Sequence, residues 1–300
     1  MNEDPVGTER AGSARLFHLN GELVPAAEAT VSVQDRGFKY GDAAFETLRT
    51  YGGDVFAWEA HADRLATTCE LLELDHGIPS ERLHGRIQET LDANGLEDAS
   101  LRLSISRGVQ PGSLDPHPEM DPTVVISVEP LPRGGIGGDA VWEKPATLST
   151  VQTRRVPNTA IPAEARTHNY LNGILARLEL RGSDADEALM LDAQGRVAQG
   201  ATGNVFAVDG EGLLTPALSG PVRPGITRST VIDLAAEEGI PVREATIQPK
   251  TFREAKEVFC TNSTWEVRPV DEVDGASLDT GPVTELLAHR FRERVESAFY

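Results

Sequence analysis

Apolar and polar positions along this chain fall into short blocks with two distinct periods. Leu101, Leu103 and Ile105 alternate with Arg102 and Ser104, so residues 101–107 are expected to form a strand, with another at 123–128. Asn20-Gly21 is a strong hairpin signal inside residues 15–23, and Tyr51-Gly52-Gly53-Asp54 marks a second hairpin over 47–57. Leu65, Cys69 and Leu72 are spaced four then three, which predicts a helix at 58–72. A second helix is expected at 80–94, opening on Ser80 as N-cap and stopping before Gly95.

Further along, Leu171, Ile174, Leu175 and Leu178 share one face of a helix expected at 169–181 and closed by Gly182. Short strands are expected at 188–192, 196–198, 204–208 and 213–215, separated by Gly-bearing turns. A helix at 225–239 follows, then strands at 242–247 and 257–261 around a helix at 251–255. The last helix is expected at 283–297, and no internal repeat is visible.

These elements divide the chain. Residues 1–14 are polar and read as a disordered tail. Residues 15–130 form a small N-terminal α+β domain, and 141–300 a larger, strand-rich C-terminal domain. Between them, 131–140 is dense in Pro and Gly and reads as a linker, because its glycines lack the G-x-G-x-x-G spacing of a phosphate loop.

Charge narrows the function. The 300 residues carry 47 acidic and 28 basic side chains, a net charge of −19, which repels phosphate backbones and disfavours nucleic-acid binding. Only Lys39, Lys144, Lys250 and Lys256 are lysines; such an acidic, lysine-poor chain fits a halophilic protein, where salt screens self-repulsion. No apolar run approaches the ~18 residues of a membrane span, and no secretory signal is visible, so a cytoplasmic protein off the membrane is expected. Cys69 and Cys260 are far apart, which indicates neither a zinc site nor a disulfide framework, and no metal is expected.

Four clusters could carry chemistry. His61 to Leu65 puts Arg64 near a helix start, where it could fork onto a phosphate or simply face solvent. Gly225-Ile226-Thr227 turns into a helix whose free amides favour an anion, though Pro224-Gly225 would also start any helix. Thr261 to Thr264 is a hydroxyl-rich stretch after a strand, either a phosphate cup or a polar loop; its glycosylation sequon has no secretion signal behind it. Finally, Arg166 to Leu171 and Gln199 to Phe206 concentrate polar groups where periodicity lapses, with His168 better read as a packing or capping residue than as a catalyst.

Taken in order, the motifs carry a resemblance. Asp35-Arg36-Gly37-Phe38, Tyr40-Gly41-Asp42, Phe45-Glu46-Thr47, His61 with Arg64-Leu65, Asn169-Tyr170-Leu171, Gly200 with Asn204-Val205-Phe206, Gly225-Ile226-Thr227-Arg228, and Thr261 with Glu266 and Pro269-Val270 resemble the class IV aminotransferases. These are the fold-type IV pyridoxal-phosphate enzymes, including branched-chain and D-amino-acid aminotransferases and aminodeoxychorismate lyase. The resemblance implies a two-domain α+β fold of the D-amino-acid aminotransferase-like kind, a homodimer, and pyridoxal phosphate between the domains. It implies an amino acid and a 2-oxo acid as substrates. Arg64, Ile226, Thr227 and Ser263 would hold the phosphate, with Tyr170 beside the cofactor. Tyr40, Phe45, Thr47, Arg107 and Thr264 would face the substrate. Gly112 and Leu114 fall where D-specific members carry an Arg/His carboxylate trap, which disfavours a D-amino-acid role.

Two positions depart from the family pattern. Arg166 stands where the Schiff-base lysine is expected, and a guanidinium offers no free amine lone pair. Lys39, beside Tyr40, is the nearest rival amine. Gln199 stands where a glutamate would pair with the pyridine nitrogen; a neutral amide supplies no charge, though it could donate an N–H to that nitrogen. Two functions follow. One is a pyridoxal-phosphate enzyme with an unusual base or free pyridoxamine phosphate. The other is a pseudoenzyme that binds the cofactor non-covalently, or another anionic ligand, in a regulatory or heterodimeric role. Trp265 could narrow the pocket or pack in the core.

Overall fold

The computed structural model describes residues 15–110, 112, 114–117, 120–131 and 142–300; the expected tail and nearly all of the expected linker lie outside the described residues. The chain opens with a hairpin of β1 (Leu16–Leu19) and β2 (Glu22–Pro25). Asn20 and Gly21 turn it with φ of 52° and 108°, the left-handed pair that a two-residue hairpin loop requires. A short helix α1 (Arg36–Tyr40) follows, then β3 (Ala43–Tyr51), β4 (Asp54–Val55), α2 (Trp58–Leu71), α3 (Ser80–Asn94), β5 (Ala99–Ser106) and β6 (Thr123–Pro130). Their strands form one sheet in the order β2-β1-β6-β5-β3-β4. The cap of α3 is one residue earlier than expected: Pro79 takes that position with extended backbone, and Ser80 is already helical. Pro needs no amide partner there, which suits a helix entry.

Alternation in this sheet decides what reaches the site. Leu101, Leu103 and Ile105 point to the α2/α3 side, where they pack with Val124, Ile126, Leu65, Ile87 and Leu91. Truncating one such buried leucine to alanine costs about 2–5 kcal/mol. Arg102 and Ser104 therefore point the other way. On β3, Ala44 and Leu48 join the same core, while the odd-numbered Phe45 and Thr47 share the face of Arg102, with Thr47 directly opposite it.

The second half builds a larger sheet. Its elements are β7 (Ala146–Thr150), α4 (Leu171–Leu178), β8 (Glu187–Leu191), β9 (Val197–Gly200), β10 (Asn204–Asp209), β11 (Gly212–Pro216), α5 (Ile226–Glu237), β12 (Val242–Ala245), α6 (Pro249–Arg253), β13 (Glu257–Asn262), β14 (Glu266–Val273), β15 (Ala276–Ser277) and α7 (Pro282–Phe299). The strand order is β12-β11-β10-β13-β14-β7-β8-β9, with β15 on β14. Val197 of β9 donates to the Ile247 carbonyl just past β12 at 2.8 Å, so the two ends of the sheet curl together. Phe206 and Phe259 stack at 4.8 Å against α5 and α7 on one side of it.

α4 is shorter than the expected 169–181, with Tyr170 at its N-cap and Leu178 as its last helical residue. Its apolar stripe is not buried: Leu171, Ile174, Leu175 and Leu178 are 64%, 51%, 46% and 39% exposed. Among the described residues no helix is long and apolar enough to cross a membrane.

The first half of the chain contacts the second through β3. Phe45 donates its amide to the Arg166 carbonyl at 2.8 Å, and His168 donates to the Ala43 carbonyl at 3.1 Å. Arg49 reaches the Thr264 carbonyl at 3.1 Å, and the Tyr51 hydroxyl reaches Glu266 at 2.9 Å. These contacts lock β3 to the segments at 166–168 and 264–266.

Candidate functional site

A cleft of about 220 Å³ opens along this junction, lined by residues that include Phe45, Thr47, Arg64, Arg102, Arg166, Tyr170, Arg223, Ile226, Thr227, Ser263 and Thr264. An adjoining hollow contains Arg155 and Gln199 and shares Arg166, Tyr170 and Arg223 with it.

One end is an anion cup. Arg64 comes from α2, one turn past His61, and both side chains meet Glu46 of β3. Arg64 grips the carboxylate with Nε at 2.8 Å and Nη2 at 2.6 Å, and His61 Nδ1 lies 2.8 Å from it. Burial alone would raise the Glu46 carboxyl, but the hydrogen bonds from Arg64 and His61 overcome it and hold the group at about 2. Burial keeps His61 below its ordinary value despite Glu46. Arg64 is thus fixed in place, and its Nη1 donates to the Pro224 carbonyl at 2.9 Å, just before α5.

α5 starts on Gly225, whose extended backbone carries no side-chain cap, so the first-turn amides of Ile226 and Thr227 have no partner within the helix. A Cβ at Gly225 would clash with Asn204 Oδ1, which explains the glycine. Asn204 Nδ2 in turn holds the Arg223 carbonyl at 2.9 Å. Across the cup, Asn262 Oδ1 accepts from the Thr264 and Trp265 amides at 2.9 and 2.7 Å and from the Thr264 hydroxyl at 3.0 Å, forming a tight turn. Thr264 lines the cleft, but its amide and hydroxyl are both engaged. Ser263 lies at the tip of the turn. The Thr261 hydroxyl is buried in the same wall with no hydrogen-bond partner among the described residues.

The other end is built from arginines. Arg166 is buried and positioned by its backbone: its amide donates to Thr68 Oγ1 of α2 at 3.1 Å, and its carbonyl accepts from Phe45. Its guanidinium lies 4.2 Å from the Phe45 ring centre, and that of Arg102 lies 3.7 Å from the same centre. Arg166 Nη1 and Arg223 Nη1 both donate to the Tyr170 hydroxyl, at 3.1 and 2.9 Å. Arg166 Nε is buried without a partner among the described residues. Burial and then Arg223 lower Arg166 to about 9, so it stays charged at neutral pH. Burial would raise the Tyr170 phenol, yet the charges and hydrogen bonds of Arg223 and Arg166 pull it down to about 7. Burial and Arg223 also lower Arg155, to about 10. His168 is pushed down to about 4 by burial and Arg102, and packs edge-on against Phe45 at 5.7 Å.

Several expected residues lie elsewhere or are otherwise engaged. Gln199 is buried in the adjoining hollow, where its Nε2 donates to the Gly200 carbonyl at 3.1 Å and its Oε1 accepts from the Arg223 amide at 2.8 Å. One of its two N–H groups is therefore spent on backbone. Arg107 is tied to Asp42 at 2.8 Å and to the Leu72 and Glu73 carbonyls, outside the cleft. Tyr40 donates to the Gly112 carbonyl at 3.0 Å and also lies outside it. Trp265 packs against the core formed by Leu189, Val205, Cys260 and Val270 rather than lining the cleft. Lys39 Nζ faces the Gln110 carbonyl at 3.4 Å, and none of the four lysines lines the cleft or the hollow.

Thr202 belongs to the Gln199–Phe206 cluster, whereas Arg102, Arg223 and Glu187 stand in none of the four clusters that the sequence singles out. Alternation on β5 was a usable signal for Arg102. Arg223 lies between two prolines in an aperiodic loop, with no signal of its own. Glu187 opens a fully buried strand; it accepts from the Ala201 and Thr202 amides at 3.0 and 3.2 Å and from the Thr202 hydroxyl, fixing the turn that brings Thr202 to the cleft.

The cup residues fit a phosphate: a fixed arginine, the first-turn amides of α5 and the Ser263 turn line the same end of the cleft. The arginine end does not fit an aldehyde held covalently, because no amine is present.

The comparisons agree with the fold. Residues 43–273 match the family described as Amino-transferase class IV. A Methanocaldococcus jannaschii protein assigned as a branched-chain-amino-acid aminotransferase is 36% identical over 280 residues, covering 92% of this chain and 95% of its own. A D-alanine aminotransferase of Listeria monocytogenes is 28% identical over 290 residues, covering 93% and 96%. The branched-chain aminotransferase of Thermoproteus uzoniensis with norvaline superposes with a TM-score of 0.87 at 32% identity, covering 95% and 96%. The Escherichia coli branched-chain enzyme gives 0.88 at 28%, covering 96% and 97%.

Proposed function

The chain belongs to the class IV aminotransferases, a pyridoxal-phosphate-dependent family of α+β, fold-type IV proteins, and we propose that it keeps the cofactor cleft for binding without ordinary transamination. Arg64, the Ile226 and Thr227 amides and the Ser263 hydroxyl would hold the phosphate, with Thr261 behind them. When bound, the cofactor supplies an electron sink for charge developing on an amino acid. Gln199 adds no charge to that sink, and one of its two amide N–H groups is already paired with the Gly200 carbonyl. Arg166 can neither bond covalently to an aldehyde nor take a proton at neutral pH.

The observation that carries this reading is the buried Arg166, pinned by Thr68, Phe45 and Tyr170, in a cleft that no lysine lines. Its ligands are then amino acids or 2-oxo acids beside a loosely held cofactor, or other small anions. The exposed apolar stripe of α4, next to Tyr170, supports a homodimer in which a second copy covers it. The charge of −19 supports a salt-requiring, cytoplasmic protein.

The test is spectroscopic. The protein is loaded with pyridoxal phosphate in molar potassium chloride and given leucine, glutamate or D-alanine. Bound cofactor with an unchanged spectrum is expected. Conversion to the pyridoxamine form at catalytic rates would overturn the reading.

A further inference from the structure

Three residues, Arg166, Tyr170 and Arg223, line both the cleft and the adjoining hollow, while Arg64, Ile226, Thr227 and Ser263 line the cleft alone. The shared group stands where the cleft meets the hollow, and the cup residues do not reach the hollow. Its charge is unbalanced. Arg64 has Glu46, but among the described residues neither Arg166, Arg223 nor Arg102 has a carboxylate partner. The chain has 47 acidic side chains, yet none of those among the described residues lines the cleft. Arg166 and Arg223 face at most one negative charge between them, that of the Tyr170 oxygen, and a net positive group of this kind invites an anion from outside.

Donor capacity points the same way. A guanidinium has five N–H groups. Arg166 gives one to Tyr170 and keeps a buried Nε with no partner among the described residues. Arg223 gives one to the same phenol and one to the Thr202 carbonyl at 3.2 Å. The phenol oxygen is the shared acceptor, a placeholder where a carboxylate could take a bidentate fork.

We infer that Arg166, Arg223 and Tyr170 form a second anion site, so that the cleft takes a small molecule carrying a phosphate for the cup and a carboxylate for this arginine pair. The inference rests on reading the cup as a phosphate site. It goes further in giving the replaced lysine position a positive role: selecting an anionic substituent against an ammonium group.

Binding to the intact protein is measured by titration calorimetry in molar potassium chloride with three probes. They are inorganic phosphate, pyridoxamine 5′-phosphate, which carries an ammonium substituent, and 4-pyridoxic acid 5′-phosphate, which carries a carboxylate in its place. The carboxylate probe is expected to bind at least tenfold tighter than the amine probe. Arg223→Gln, or the double variant Arg166→Leu with Arg223→Leu, is expected to erase that preference while both probes still bind. Equal affinity for the two, or preference for the amine, overturns the second site and leaves the phosphate reading intact. Failure of all three probes to bind overturns both.

Discussion

Arg166 and Tyr170 lie four residues apart at the entry to α4, and Arg166 Nη1 donates to the Tyr170 hydroxyl at 3.1 Å. A second guanidinium, Arg223, donates to the same oxygen at 2.9 Å. Two cationic donors on one phenol oxygen occupy its lone pairs and favour tyrosinate. The folded phenol at about 7 lies below its ordinary value of 10. The resulting stabilisation is therefore complete above pH 10 and is lost as pH falls to 7. A tyrosinate absorbance titration, wild type minus Tyr170→Phe, should show a midpoint near 7, and Arg223→Leu should move it upward. A wild-type midpoint near 10 would contradict the arrangement.

The triad at Glu46 predicts acid sensitivity. Its folded carboxyl, at about 2, lies below the ordinary 4.5. That contribution is complete above pH 4.5 and is lost as pH falls through 2. His61, held below its ordinary value by burial, adds loss of the same sign at acid pH. Glu46→Gln should cost about 3 kcal/mol at neutral pH by leaving Arg64 and His61 unpaired. Its melting temperature should also fall less steeply between pH 5 and pH 3. An unchanged acid slope would count against the triad.

Gly225 tests the cup by shape. A methyl group there would meet Asn204 Oδ1, which belongs to the amide that holds the Arg223 carbonyl. Gly225→Ala should weaken binding of inorganic phosphate at least tenfold, equivalent to about 1.4 kcal/mol. Phosphate affinity equal to wild type would mean the cup lies elsewhere.

The stripe on α4 tests assembly. Leu175→Arg places a charge among Leu171, Ile174 and Leu178 and should convert a dimer into monomers in light scattering at high salt. A monomeric wild type, or a variant that stays dimeric, would remove α4 from the interface.

Much of the fold was legible because its periods are clean. The alternation of β5, the four-three spacing of α2 and the Asn20-Gly21 turn each have one physical solution. β14 was hidden because Arg268, Pro269 and Asp271 interrupt its apolar pattern, although the strand is buried on both sides as far as Val270. β7 is short, and its neighbours are distant in sequence. The cup could be read from motif order, since each piece sits at an element boundary. The arginine pair could not, because Arg166 and Arg223 are far apart in sequence and meet through the Tyr170 hydroxyl, with Arg223 placed by Gln199 and Asn204. Tyr40 and Arg107 carried motif positions but are held outside the cleft by Gly112 and Asp42.

Reductive trapping tests the central claim most directly. The protein is incubated with pyridoxal phosphate in molar potassium chloride, treated with borohydride, digested and mapped by mass spectrometry. No stoichiometric phosphopyridoxyl-lysine is expected in the wild type, although cofactor is retained until phosphate displaces it. Arg166→Lys should acquire a single adduct at residue 166. A stoichiometric adduct in the wild type, at Lys39 or any other lysine, would contradict the account.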